Sequence, residues 1–215
     1  MTPQQIYNLL HTKSITSQIG NLTFNLAGAS FSVQTKDVVG AILQEWLENF
    51  LLMNNVQFTK PANTQDWPDL LLLPQNEDLE VKAFNNIKSP SFDIANFDAY
   101  TRSLLEYPER LDTEHIIFAY ESNGSTIQVK DFWLKKAWQM TGPSDTNYLN
   151  LQVKQNLPTN IRPKNWRNNS VITFNTRRDF VVQLNNALIH FHPGRYQNWF
   201  QQVESEYQQK VGQPL

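Results

Sequence analysis

Cysteine is absent from these 215 residues, which excludes disulfide frameworks, thiolate zinc sites and cysteine nucleophiles together. No apolar run approaches the length of a membrane span. The opening residues Met1-Thr2-Pro3-Gln4-Gln5 lack the charged-then-apolar plan of a signal peptide. A soluble, unexported protein is expected, and the composition fits a cytoplasmic one. At this length one substantial core is expected. We read residues 1–215 as a single domain, with a core over about 37–130, a basic portion over about 131–195 packed on it, and a C-terminal helix over about 196–211.

The net charge of -2 hides an asymmetry. Residues 1–124 hold 7 Lys+Arg against 15 Asp+Glu, residues 125–200 hold 10 against 3, and residues 201–215 hold 1 against 2. An acidic half that can hold a cation and a basic half that can meet phosphates is a division expected of a nuclease. The alternative is that the two halves fold together and their charges pair.

The most informative stretch runs from Trp67-Pro68-Asp69 through four leucines to Asp78-Leu79-Glu80-Val81-Lys82-Ala83-Phe84. Each half reads as a short strand, and Pro74-Gln75-Asn76-Glu77 has the chemistry of a hairpin loop. Alternation along the second strand puts Leu79, Val81 and Ala83 on one face and Glu80 and Lys82 on the other. If the strands pair, Asp69 reaches the polar face beside Glu80. Two carboxylates and a lysine meeting at a strand end suit metal-assisted phosphodiester hydrolysis. The carboxylates hold a hard divalent cation, magnesium by default, and the lysine positions water or neutralises developing charge. The competing reading is an exposed cross-strand Glu-Lys ion pair with no chemistry.

Around this stretch, Thr2 caps a helix that starts at Pro3. Residues 20–34 alternate as a hairpin. Asp37 caps the strongest helical pattern, in which Val39, Ile42, Trp46, Phe50 and Met53 recur and which is expected to pack on the sheet. Glu45, preferred over Glu48, is the carboxylate this helix could add to a metal shell, and the alternative, favoured here, is that it is a solvated helix charge. Val56 to Lys60 reads as a strand and Ile94 to Tyr107 as a helix ended by Pro108. His115 to Tyr120 has the continuous apolar character of a strand covered on both faces. A turn at Asn123-Gly124 leads to a strand over Thr126 to Val129, and a helix is expected from Asp131 through Phe132, Trp133, Ala137 and Trp138.

The order helix, three strands, helix, strand, with Pro68-Asp69 and Glu80-Val81-Lys82 separated by ten residues, resembles the PD-(D/E)xK nuclease superfamily. The longer phrases Ser89 to Tyr100, Trp133-Leu134-Lys135-Lys136 and Asn160-Ile161-Arg162-Pro163 are similar to the small type II restriction endonucleases of the NgoBV/NlaIV type. The resemblance implies a mixed α/β fold whose central mixed sheet is flanked by helices. It implies metal ligation by Asp69, Glu80 and the Val81 carbonyl, with Lys82 as the catalytic lysine. A magnesium-dependent cut of double-stranded DNA leaving 5'-phosphates, with GGNNCC as the implied target, follows from it. So do a homodimer, a cognate DNA methyltransferase as the system partner without stable binding, and a bacterial cytoplasmic location.

The basic portion supplies candidates for DNA contact. Lys154, Arg162, Lys164, Asn165, Arg167, Arg177 and Arg178 interleave cations with amides that make bidentate contacts to bases and phosphates. Lys36 and the loop residues Asn85, Asn86, Lys88, Ser89 and Ser91 join them. The same residues are also ordinary turn formers and surface cations. His190 and His192, with no third histidine near, read as ordinary histidines rather than metal ligands. Trp199, Phe200, Val203 and Tyr207 form an apolar stripe suited to docking on the core or to a dimer contact. A structure-specific repair or recombination nuclease and a non-catalytic DNA-binding module remain the alternatives to a restriction enzyme.

Overall fold

The computed structural model describes residues 1–32, 38–63, 67–87, 92–123, 125–164, 166–167 and 173–215. In chain order the elements are α1 (Pro3–Thr12), β1 (Gly20–Asn21), β2 (Thr23–Leu26), β3 (Ala29–Ser32), α2 (Val39–Met53), β4 (Phe58–Thr59), β5 (Leu70–Leu72) and β6 (Glu77–Asn85). They continue with β7 (Ala95–Asn96), α3 (Phe97–Ser103), β8 (Glu114–Ser122), β9 (Thr126–Lys136), α4 (Ala137–Met140), β10 (Pro143–Ser144), β11 (Tyr148–Leu149), β12 (Leu151–Lys154), β13 (Leu157–Ile161), α5 (Arg177–Phe191) and α6 (Trp199–Val211). None of the described helices is long and apolar enough to cross a membrane. Two compact units emerge, Met1–Ser91 with Glu114–Lys135, and Phe92–Thr113 with Lys136–Leu215.

The first unit is built on a six-stranded mixed sheet in the order β1-β9-β8-β6-β5-β4. β5 runs antiparallel to β6, and β6 runs parallel to β8. The hydrophobic core lies on the face covered by α1 and α2, where Leu79, Val81, Ile116, Phe118, Ile127 and Val129 meet Ile6, Leu10, Leu43, Leu47 and Leu51. α1 begins as its sequence predicts. Thr2 Oγ1 accepts from Gln5 N at 3.2 Å and Thr2 N donates to Gln5 Oε1 at 2.9 Å, a reciprocal capping box that satisfies two backbone donors.

α2 packs on the sheet as expected, but its buried stripe is Val39, Leu43, Leu47 and Leu51. Ile42, Trp46 and Phe50 flank that stripe half-buried, and Met53 is 83% exposed. Each fully buried leucine contributes roughly 1.5–3 kcal/mol, so this stripe sets the helix's rotation. Asp37, assigned as its cap, lies outside the described residues. The β2–β3 hairpin forms as read, turning at Ala27 and Gly28, both with φ in the left-handed region. The strand expected from Val56 is confined to Phe58–Thr59.

The helix expected from Asp131 is corrected: β9 continues to Lys136, and only Ala137–Met140 is helical. Burial alternates through Ile127 and Val129, slips by one residue at the exposed pair Lys130-Asp131, and resumes at Phe132. That slip mimics helical spacing in the sequence.

In the second unit α3 starts later than expected, at Phe97, because Asn96 caps it by accepting from Ala99 N at 2.9 Å. Ile94 and Ala95 belong to the approach to that cap, with Ala95 pairing Ile161 of β13. α6 docks by the predicted stripe within this unit: Trp199, Val203 and Tyr207 are buried, and Trp199 Nε1 donates to the Thr101 carbonyl at 2.9 Å.

Candidate active site

The site belongs to the β5–β6 hairpin. Leu70 pairs with Leu79, so continuation of the antiparallel register sets Asp69 level with Glu80. Val81 N donates to Asp69 Oδ2 at 2.7 Å, and Gln44 Nε2 of α2 lies 3.5 Å from Asp69 Oδ1. A residue's N–H and C=O face the same side of a strand, so the Val81 carbonyl faces the Asp69 side too. Lys82 Nζ lies 3.1 Å from Glu80 Oε2, and Glu80 is only 7% exposed. Asp69, Glu80, Val81 and Lys82 are therefore brought together.

This arrangement is electrostatically strained. Burial, and then the charge of Glu80, push the Asp69 carboxyl up to about 6, despite the opposing pull of Lys82 and the Val81 hydrogen bond. Glu48 on α2 adds to the upward push. Glu45 is exposed, in keeping with its reading as a solvated helix charge rather than a metal ligand, and the helix carboxylate acting on Asp69 is Glu48, which also holds Lys60 at 2.8 Å. Among the described residues no group of three or more His, Cys, Asp or Glu side chains converges on one cation position. The oxygens that could hold a cation here are those of the Asp69–Glu80 pair and the Val81 carbonyl.

Gln44 carries no sequence signal for this site, and Glu48 ranked below Glu45, since only the packing of α2 decides which of its side chains reach Asp69. His115 was read simply as the start of an apolar strand. It is the register partner of Glu80 on β8 and is 4% exposed. A polar residue opening so apolar a run was the available signal.

The DNA-contact candidates divide. Lys36, Lys88, Ser89, Ser91 and Asn165 lie outside the described residues. Asn85 Oδ1 accepts from Ile87 N at 3.0 Å within its own loop, and Asn86 Nδ2 donates to Glu121 Oε1 of β8 at 3.1 Å. Lys154 and Arg167 are exposed. Lys164 Nζ donates to the Pro143 carbonyl, and Arg162 pairs with Asp93 at 2.8 Å. Arg177 lies 2.8 Å from Asp112 and over the Tyr207 ring, where Lys136 and the Tyr207 hydroxyl also meet Asp112. Arg178 pairs with Glu204 at 3.4 Å and lies over Phe200. Arg177 and Arg178 thus fasten α5 to α6 and the turn Pro108–Asp112.

The family model described as NgoBV restriction endonuclease matches residues 1–215. The chain belongs to that family. It is a type II restriction endonuclease, and its fold is restriction-endonuclease-like. It is 36% identical over 226 residues to the type II restriction enzyme NlaIV of Neisseria lactamica, covering 100% of this chain and 93% of the relative. It is 38% identical over 160 residues to the type II restriction enzyme NgoBV of Neisseria gonorrhoeae, covering 72% of this chain and 91% of that one. The solved structure of NlaIV restriction endonuclease superposes with a TM-score of 0.91 at 34% identity, covering 100% of this chain and 92% of that chain.

Proposed function

We propose that this chain, acting as one endonuclease domain over residues 1–215, cuts double-stranded DNA at a specific sequence with magnesium and leaves 5'-phosphates. The observation that carries the reading is the approach of Asp69 to Glu80 beside Lys82, with the Asp69 carboxyl pushed up to about 6. A buried acidic pair in which Asp69 resists ionising is a donor set that a hard divalent cation fits. Asp69, Glu80 and the Val81 carbonyl would hold that cation. When bound, it supplies charge to the scissile phosphate and lowers the pKa of water. Lys82 orients the attacking water and offsets negative charge that develops on the phosphate. Gln44 and Val81 N hold the Asp69 carboxyl in orientation.

The working target is GGNNCC, cut by a homodimer inside the bacterial cell, where a methyltransferase protects the same sequence in host DNA. Lys154, Arg162, Lys164 and Arg167 are the proposed contacts of the basic portion. Digestion of a sequenced plasmid, with and without magnesium, tests the reading. Discrete fragments that require magnesium and end in 5'-phosphates support it. A bound but uncut duplex would leave a DNA-binding module, and cutting confined to branched DNA a repair nuclease. Lys82→Ala should abolish cleavage while retaining DNA binding in a mobility shift. Cleavage by that variant at the unmodified rate would remove Lys82 from the mechanism.

A further inference from the structure

The β12–β13 hairpin of the second unit ends in a tip whose side-chain chemistry the fold does not use. Lys154 pairs with Leu157, which leaves Gln155 and Asn156 as a two-residue turn, both with φ in the left-handed region. The base of the hairpin is fixed. Thr159 Oγ1 donates to the Gln152 carbonyl at 3.0 Å, and Asn160 Nδ2 donates to Gln152 Oε1 at 3.0 Å. The register shifts between Gln152 and Val153 as in a β-bulge, and Pro158 is buried. Beyond that base Lys154, Gln155, Asn156 and Leu157 are all exposed. Among the described residues the side chains of Lys154, Gln155 and Asn156 meet no hydrogen-bond or ion-pair partner.

Other amides of this unit are committed to the chain. Asn96 caps α3, Gln139 Oε1 accepts from Lys136 N at 2.8 Å, and Asn150 Nδ2 donates to the Pro163 carbonyl at 2.7 Å. Asn156 is explained by its turn, because a short amide side chain tolerates left-handed backbone. Gln155 is not. A longer side chain is disfavoured at its φ of 50°, and glycine or asparagine would close the same turn without that cost. A strained residue held on a stiff, exposed tip points to a use for its side chain. The surrounding charge identifies the partner, since residues 146–178 carry six Lys+Arg and no Asp or Glu, a balance that suits phosphate. A two-stranded ribbon fits the major groove of a duplex, where an amide offers a donor and an acceptor together to a base edge.

We propose that Gln155 reads a base pair of the target through the major groove, carried there by the β12–β13 ribbon, with Lys154 on the phosphate backbone. This rests on the reading of the chain as a sequence-specific endonuclease. After the target of the unmodified enzyme is mapped on a plasmid, kcat/KM is measured on duplexes carrying that site and each single-base-pair change of it. Gln155→Gly should melt no lower than the unmodified protein, since its turn favours glycine. It should nonetheless lose discrimination at one base pair of each half-site, by about tenfold, and keep it elsewhere. Asn156→Gly, which preserves the turn, should leave the profile as it is. Lys154→Ala should weaken all duplexes alike and reduce the slope of log affinity against log salt by about 1. An unchanged profile in Gln155→Gly, or a loss spread evenly over all duplexes, overturns the proposal while the endonuclease reading stands. So does a smaller mass in solution for that variant than for the unmodified enzyme, which would place the tip between two copies of the chain. If Gln155→Gly lacks a cooperative thermal transition, Gln155→Met decides in its place, because it keeps the length of the side chain and removes its donor and acceptor. Absence of discrete fragments from the unmodified enzyme would remove both readings.

Discussion

Asp69 is the residue at which folding and chemistry pull apart. Its carboxyl, pushed up to about 6 from an ordinary 3.8 by burial and by Glu80, holds its proton more tightly in the folded chain than in the unfolded one. The resulting stabilisation is fully present below pH 3.8 and is lost as pH rises through 6, where an ionised carboxylate is left buried beside another. A shift of about two units corresponds to at most about 3 kcal/mol. Asp69→Asn removes that charge and keeps an oxygen for Val81 N, so at pH 8 without metal it should melt at a higher temperature than the unmodified protein. At pH 4 the gain should largely disappear. Cleavage should be lost at either pH, because a neutral amide is a poor ligand for a hard cation. Thermal melts in chelator at the two pH values check this, and a variant no more stable at pH 8 than the unmodified protein would contradict it. Stability sacrificed at Asp69 is the trade expected if this carboxylate has the proposed role.

At the scale of elements, α2 shows how packing, rather than helical spacing alone, decides which side chains of a helix reach a site. The stripe Val39, Leu43, Leu47 and Leu51 fixes its rotation, and that rotation carries Gln44 and Glu48 toward Asp69 while Glu45 is exposed. Because the charge of Glu48 raises Asp69, Glu48→Gln should let Asp69 ionise at lower pH and move the acidic limb of the cleavage profile downward. Glu45→Gln should leave that limb in place, and equal shifts in both variants would refute the assignment. The same contrast explains what was legible beforehand. Asp69, Glu80 and Lys82 sit on adjoining strands of one hairpin, so alternation and a short turn were enough to bring them together. Contacts set by tertiary packing were not readable in this way. The proximity of Gln44 and Glu48 to Asp69, the pairing of Glu80 with His115, and the capture of Arg177 by Asp112 all join elements distant in the chain. β9 was misread for a local reason, since the slip at Lys130-Asp131 gave a strand the spacing of a helix.

For the whole molecule the decisive quantity is the number of cutting centres that one binding event delivers. Each chain brings one Asp69–Glu80–Lys82 constellation, while a duplex has two antiparallel strands related by a two-fold axis. Two copies related by the same symmetry place one centre on each strand, which is the basis of the proposed homodimer. A dimer with one unmodified chain and one Lys82→Ala chain, isolated with a different affinity tag on each copy, keeps both binding surfaces but one competent centre. On supercoiled plasmid it should convert the substrate to the nicked circle and stop there, whereas the unmodified dimer should yield linear DNA. The nick should fall on either strand with equal frequency, because a symmetric target accepts the mixed dimer in both orientations. If the mixed dimer linearises plasmid as readily as the unmodified one, a single centre must be cutting both strands in succession, and the one-centre-per-strand arrangement would fall even though Lys82 keeps its role.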